Sequence, residues 1–176
     1  MAKNNSARIT KIDERAQPGQ FETGIDISAE NRQQLIELLN KRLASSIDLY
    51  SQTKFAHWNV KGKDFYQLHL LFDEIAEVVE KGVDIIAERI TALGGQANGT
   101  IRQAAAASEL EEYEVAAREG MHHVRALAER LAAVANSGRE GVEEAEQLDD
   151  KVTADLLTEI VGELDKHLYF LEAHLR

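Results

Sequence analysis

The chain has 176 residues, is 44% apolar and carries a formal net charge of −11, with one proline and no cysteine. That length and apolar content suit one buried core, and the lack of cysteine excludes disulfides, thiolate metal ligands and cysteine nucleophiles together. No apolar run approaches the roughly 18 residues of a membrane span, and the N-terminus MAKNNSARITKIDERAQ lacks the apolar stretch of a secretion signal, so a cytoplasmic protein without membrane contact is expected.

The charge is uneven along the chain. Lys3, Arg8, Lys11 and Arg15 against Asp13 and Glu14 give residues 1–20 a net charge of +2, which leaves −13 on the rest. So acidic a body repels nucleic acid. Residues 1–27 therefore read as a flexible tail and as the only candidate contact for DNA, and residues 28–176 as one folded bundle.

The first predicted helix begins after Ser28, a plausible N-cap with Glu30 in the following turn. Leu35, Leu39, Leu43, Ile47 and Tyr50 then repeat at helical spacing to about Trp58. Asn59 to Lys63, containing Gly62, is a short connection, so the second helix should return antiparallel beside the first. Its apolar stripe is Leu68, Phe72, Ile75, Val79, Gly82, Ile86, Ile90 and Leu93, stopped by Gly94-Gly95. From Asn98-Gly99 to about Tyr113 runs a crossover with a short alanine-rich helix, TIRQAAAAS. The third long helix carries Met121, Val124, Leu127, Leu131 and Val134, and Ser137, Gly138 and Gly141 should bend it near its end. The last starts near Asp149-Asp150 and continues through Leu157, Ile160, Leu164, Leu168 and Leu171. Four long helices with a long middle crossover predict an all-α, ferritin-like four-helix bundle with a short extra helix in that crossover.

The candidate chemistry gathers around the second helix. His57, His69, Asp73, Asp84 and Glu88 are groups suited to iron or a related transition metal. His69 and Asp73 are one turn apart, as are Asp84 and Glu88, and the two pairs are offset by three turns, so all four fall on one side of one helix. At 1.5 Å rise per residue Asp73 and Asp84 stand roughly 16 Å apart along it, too far to share an ion. One chain cannot close the site. The ligand side points away from the chain's own core stripe, yet also carries Leu70, Ala76, Val78, Ile85 and Ala87, as a helix with a second packing partner would. A second copy crossing antiparallel near Val78 and Val79 would set His69 and Asp73 of one chain against Glu88 and Asp84 of the other. His57, beside the short connection, joins the His69 end.

The string His57-Trp58-Asn59-Val60-Lys61-Gly62, then His69 with Asp73, Asp84-Ile85-Ile86-Ala87-Glu88-Arg89 and Leu93-Gly94-Gly95, resembles the signature of the Dps family of mini-ferritins. The likeness continues through Asp155, Leu157 and Leu164-Asp165-Lys166-His167-Leu168. It implies that His57, His69 and Asp73 of one subunit, with Asp84 and Glu88 of its two-fold partner, form a ferroxidase centre. It also implies a hollow dodecamer that oxidises Fe(II), preferentially with hydrogen peroxide and alternatively with dioxygen, stores the ferric mineral and shields DNA. Zinc or manganese would compete for the site. The start of the last helix would line a three-fold pore, with Asp150 and Asp155 as its carboxylates, and Trp58 would lie near the centre.

Other features weigh less. Ordinary ferritins repeat a Glu-x-x-His motif within one bundle; here Glu119-Gly120-Met121-His122 occurs once and reads as an exposed helix start. His167 and His174 share a face of the last helix, where packing competes with an accessory metal role for His167. The acidic run from Glu140 to Glu159 reads on composition as a solvated helix junction. A DNA-compacting protein whose metal is only structural is the alternative function.

Overall fold

A computed structural model describes residues 21–117 and 119–176. The four basic residues to which DNA contact is assigned therefore lie outside the described residues. The elements are α1 (Ala29–Asn59), α2 (Phe65–Ala92), the short α3 (Ile101–Ala107), α4 (Gly120–Gln147) and α5 (Lys151–Ala173). No strand occurs among the described residues, and no helix is long and apolar enough to cross a membrane. The fold is the ferritin-like bundle that the sequence predicts.

Local chemistry sets several of the boundaries. Ser28 accepts a hydrogen bond from the Asn31 amide and so satisfies one orphan donor of α1. Between α1 and α2, Gly62 at φ 113° turns the chain back. The end of α2 is a Schellman motif: Gly94 at φ 88° donates to the Thr91 carbonyl, and Gly95 to that of Ile90. The same motif closes α4 with a non-glycine residue, Asp149 at φ 59°, which donates to Glu146 O while Asp150 donates to Ala145 O. Aspartate tolerates this left-handed conformation better than most residues.

The α1–α2 and α4–α5 hairpins pack side by side through α1 against α4 and α2 against α5, with α3 lying on α1. Two apolar clusters fill the bundle. One holds Leu49, Phe72, Ile75, Leu127, Leu131 and Leu164; the other holds Leu35, Leu39, Leu43, Ile86, Ile90 and Leu157.

Local detail sharpens three expectations. α4 continues past its glycines to Gln147, and α5 packs close at Gly138: a Cβ there would lie 2.6 Å from Val161 Cγ2. α4 begins at Gly120, where the Glu119-to-His122 stretch reads as a helix start, and Tyr113 and Ala117 before it are buried as loop residues against the first cluster. Residues 21–27, assigned by sequence to the tail, lie along the second cluster. The Phe21 amide donates to Gly94 O at 2.7 Å, the Thr23 hydroxyl to Ala92 O at 3.0 Å, and Ile25 and Ile27 pack against the core.

Candidate metal centre

The tight α1–α2 hairpin brings His57 and His69 face to face, with ring centroids 3.8 Å apart and planes 19° from parallel. Each ring nitrogen Nδ1 meets the backbone carbonyl of the other residue, His57 to His69 O at 2.8 Å and His69 to His57 O at 2.9 Å. A carbonyl only accepts, so both Nδ1 atoms carry the proton and donate. The reciprocal pair thus fixes one tautomer in both rings and leaves each Nε2 with a lone pair for a metal ion.

Asp73 lies one turn beyond His69. Its Oδ1 accepts from Lys54 Nζ at 2.6 Å and stands 3.8 Å from His57 Nδ1. The Lys54 hydrogen bond holds the carboxyl below the ordinary range against the opposing effect of burial, and the charges of His57, Lys54 and His69 act in the same direction. Lys54 is a residue the sequence reading missed. The available signal was its position one turn before His57 on α1, facing the same neighbour.

Asp84 and Glu88 are exposed, and neither carboxylate has a bonding partner among the described residues. No group of three or more His, Asp or Glu side chains among the described residues is arranged to hold an ion. The chain therefore presents two incomplete sets along α2: two imidazoles, His57 from the end of α1 and His69, with one anchored carboxylate near its start, and two free carboxylates near its end.

The apolar residues around these sets divide differently from the sequence expectation. Ala76 is buried, and Val78 and Ile85 turn into a groove shared with Ile160 and Leu164 of α5, because α2 has a neighbour on each flank. The ligand face instead continues through Leu70 and Ala87 into a groove lined by Tyr50, Lys54, Trp58, Glu80, Val83 and Ile101.

The remaining candidates fall as follows. Asp150 is 2% exposed and is not a free pore carboxylate. It caps α5 by accepting from the Thr153 amide at 3.1 Å and from the Thr153 hydroxyl, and it receives Arg89 Nη2 on both oxygens at 2.8 and 2.7 Å. Burial alone would raise its pKa, but the bonds from Arg89 and Thr153 and the Arg89 charge outweigh it, and the carboxyl stays below its ordinary value. Asp155 is exposed on α5. His167 is buried, with Nδ1 bonded to Glu163 O at 2.8 Å and its ring edge-on to Phe170; His174 is exposed and bonds Phe170 O in the same way. Trp58 is 64% exposed.

In the Glu119-to-His122 motif both side chains are exposed. The buried histidine is the next one, His123, whose Nδ1 lies 2.8 Å from the Tyr113 hydroxyl and whose Nε2 has no partner among the described residues. Burial, helped by the charges of His122 and Lys61, lowers its pKa, and burial raises that of Tyr113.

A ferritin-like domain family model matches residues 36–176. A DNA protection during starvation protein of Agrobacterium fabrum is 38% identical over 151 residues, covering 86% of this chain and 93% of its own. The chain belongs to the Dps family of ferritin-like proteins. Among solved structures it is similar to Mycobacterium smegmatis Dps, with TM-score 0.84, 33% identity and coverage of 89% of this chain and 94% of that one. It is also similar to a Vibrio cholerae Dps described as a member of a broad superfamily of ferritin-like diiron-carboxylate proteins, with TM-score 0.81, 27% identity and coverage of 85% and 94%. In this Dps chain the space between the helices is filled by the two apolar clusters, while Asp73, Asp84 and Glu88 lie on the outer side of α2.

Proposed function

We propose that this Dps-family protein is a ferroxidase whose iron site is shared between two chains. His57, His69 and Asp73 of one chain and Asp84 and Glu88 of a two-fold partner form each site, and symmetry makes two identical sites per pair. The observation that carries the reading is the reciprocal His57–His69 pair between α1 and α2, with both Nε2 atoms left free, beside two further carboxylates on α2 that are unbonded among the described residues and too distant to complete the set.

Iron is the substrate. The imidazoles receive Fe(II), and the hard carboxylates stabilise Fe(III) more than Fe(II), so the ligand set favours the oxidised product. With hydrogen peroxide as oxidant, two Fe(II) each give one electron, the O–O bond breaks, and with two protons two waters leave; dioxygen is the alternative acceptor. Lys54 holds Asp73 until a metal cation competes for the carboxylate, and zinc or manganese would compete with iron for the same donors. The ferric product is stored inside a hollow dodecamer, with Asp155 among the acids that draw Fe(II) inward. Consuming iron and peroxide together withholds the reactants of hydroxyl-radical formation, the chemistry by which a DNA-protecting relative would act without binding DNA. The protein works in the cytoplasm.

Replacing His57 and Asp84 together by alanine removes one ligand from each half of the site and should abolish fast iron oxidation in stopped-flow absorbance. Initial rates equal to the unmodified protein would sink the assignment.

A further inference from the structure

The two half-sites on α2 are held in different ways. The first is fixed by its own ligands, through the reciprocal imidazole–carbonyl bonds and the Lys54–Asp73 pair. In the second, Asp84 and Glu88 bond to nothing among the described residues, so their positions depend entirely on the α2 backbone. Beside the packing of Ile86 and Ile90 in the core, the side-chain tie adjacent to these carboxylates is Arg89, next to Glu88. Its guanidinium gives Nη2 to both oxygens of Asp150 at 2.8 and 2.7 Å and Nε to the Thr153 hydroxyl at 2.9 Å. Arg89 has a side chain 11% exposed, and Asp150 one 2% exposed. Asp150 is itself fixed, since its amide closes the α4 end on Ala145 O while its carboxylate caps α5. Arg89 thus fastens α2 to the junction where α4 stops and α5 starts.

We propose that the Arg89–Asp150–Thr153 clamp is a positioning device for Asp84 and Glu88, and therefore acts on the iron site that these carboxylates complete in the partner chain. A charge-assisted, bidentate bond between a planar guanidinium and a carboxylate fixes angle as well as distance. Metal ligation needs that, because a site works only within about 0.5 Å of its productive geometry. The proposal rests on the shared-site reading, and the experiment separates the two.

Asp150→Asn keeps a good α5 cap but removes the charged partner of Arg89. Because an orphaned buried guanidinium could itself impair folding, Arg89→Met with Asp150→Asn is the second variant and leaves no unpaired charge. Each homogeneous variant should oxidise Fe(II) at least about tenfold more slowly, in the range a sub-ångström to 1 Å misplacement produces. The decisive readout is complementation. When a clamp variant is co-expressed in equal amount with His57→Ala/His69→Ala chains, random pairing makes about a quarter of all sites from the intact imidazoles of the first chain and the intact, clamped carboxylates of the second. The rate should return to about a quarter of the unmodified protein's. No recovery, or unimpaired oxidation by the homogeneous Arg89→Met/Asp150→Asn protein, would overturn the proposal, because a clamp acting on its own chain's imidazoles or on the fold as a whole gives no such rescue. The control pairs His57→Ala/His69→Ala with Asp84→Ala/Glu88→Ala. It should recover the same quarter, and a dead control overturns the shared site itself and the clamp proposal with it.

Discussion

If the iron site closes only between two chains, a change that keeps every ligand but prevents pairing must silence oxidation. Ile101 on α3 offers that test. It is 83% exposed and stands with Trp58, Tyr50 and Val83 around the groove that reaches Lys54 beside Asp73. Complete burial of an isoleucine side chain is worth about 1.5–3 kcal/mol, and at 83% exposure almost all of that remains to be gained on pairing. A two-fold interface uses the residue twice, so Ile101→Glu forfeits about 4 kcal/mol. Covering two carboxylates without partners adds at least about 1 kcal/mol each. The total, about 6 kcal/mol, weakens the dimer roughly ten-thousandfold. Sedimentation velocity at micromolar protein should show the assembly broken into pieces that lack the two-fold contact, circular dichroism an unchanged helical content, and stopped-flow absorbance no fast iron oxidation. Such a piece oxidising iron at the unmodified rate would refute the shared site, and an unweakened two-fold contact would refute this groove as part of the interface.

Two further outcomes are expected. Burial lowers the pKa of His123 from its ordinary 6.5, so in the window just below that value the unfolded chain binds a proton that the folded chain does not, and stability falls as pH drops from 7 toward 5, by at most about 1.4 kcal/mol per unit. His123→Phe should flatten that slope in urea titrations at successive pH values, and an unaltered slope would show that His123 is not its source. Asp150 has the opposite sign and another window, since its depressed pKa contributes stability above the ordinary 3.8 that is lost only as pH falls through the lower folded value. For the tail, retardation of DNA in low-salt gels should disappear on deletion of residues 1–20 and weaken steeply with salt. Full-length protein that does not shift DNA would end the DNA-binding reading.

The four long helices were legible because nothing in the sequence contradicts them. Past residue 28 there is no proline, the stripes keep helical spacing, and Gly94-Gly95 supplies the two residues a Schellman stop requires. What could not be read were features whose meaning depends on a distant neighbour. A glycine inside a helix signals a bend, a close approach or both, and the close approach at Gly138 is seen only once Val161 is placed against it. A carboxylate at a helix start looks the same whether it faces a pore or caps the helix; Asp150 is settled by Arg89, 61 residues earlier in the chain. Val78 and Ile85 belong to the α5 groove rather than the ligand face because α2 is flanked on two sides. The ligand spacing on α2 was visible in one dimension, as was the level at which His57 meets His69, whereas the Lys54–Asp73 pair was not, since the place of Lys54 one turn before His57 puts it at the right level without saying which carboxylate it bonds.

Charge makes assembly and chemistry one problem. The ligand side of α2 carries Glu77, Glu80, Asp84 and Glu88, all exposed. The helix has two cations of its own, Lys81 and Arg89, and both lie toward α5, opposite Glu159 and Asp150. Lys54, which reaches the ligand side from α1, is already bonded to Asp73. On the proposed pairing, two such faces brought together about a two-fold axis repel unless cations enter between them, and the positions where the carboxylates of one chain would meet the imidazoles of the other are where a divalent ion would best offset the repulsion. An ion bound only by the pair stabilises the pair by mass action, and pairing tightens the ion by the same free energy. Loss of oxidation in the Ile101→Glu protein and loss of metal-dependent pairing in a ligand variant would then be the same coupling seen from its two ends.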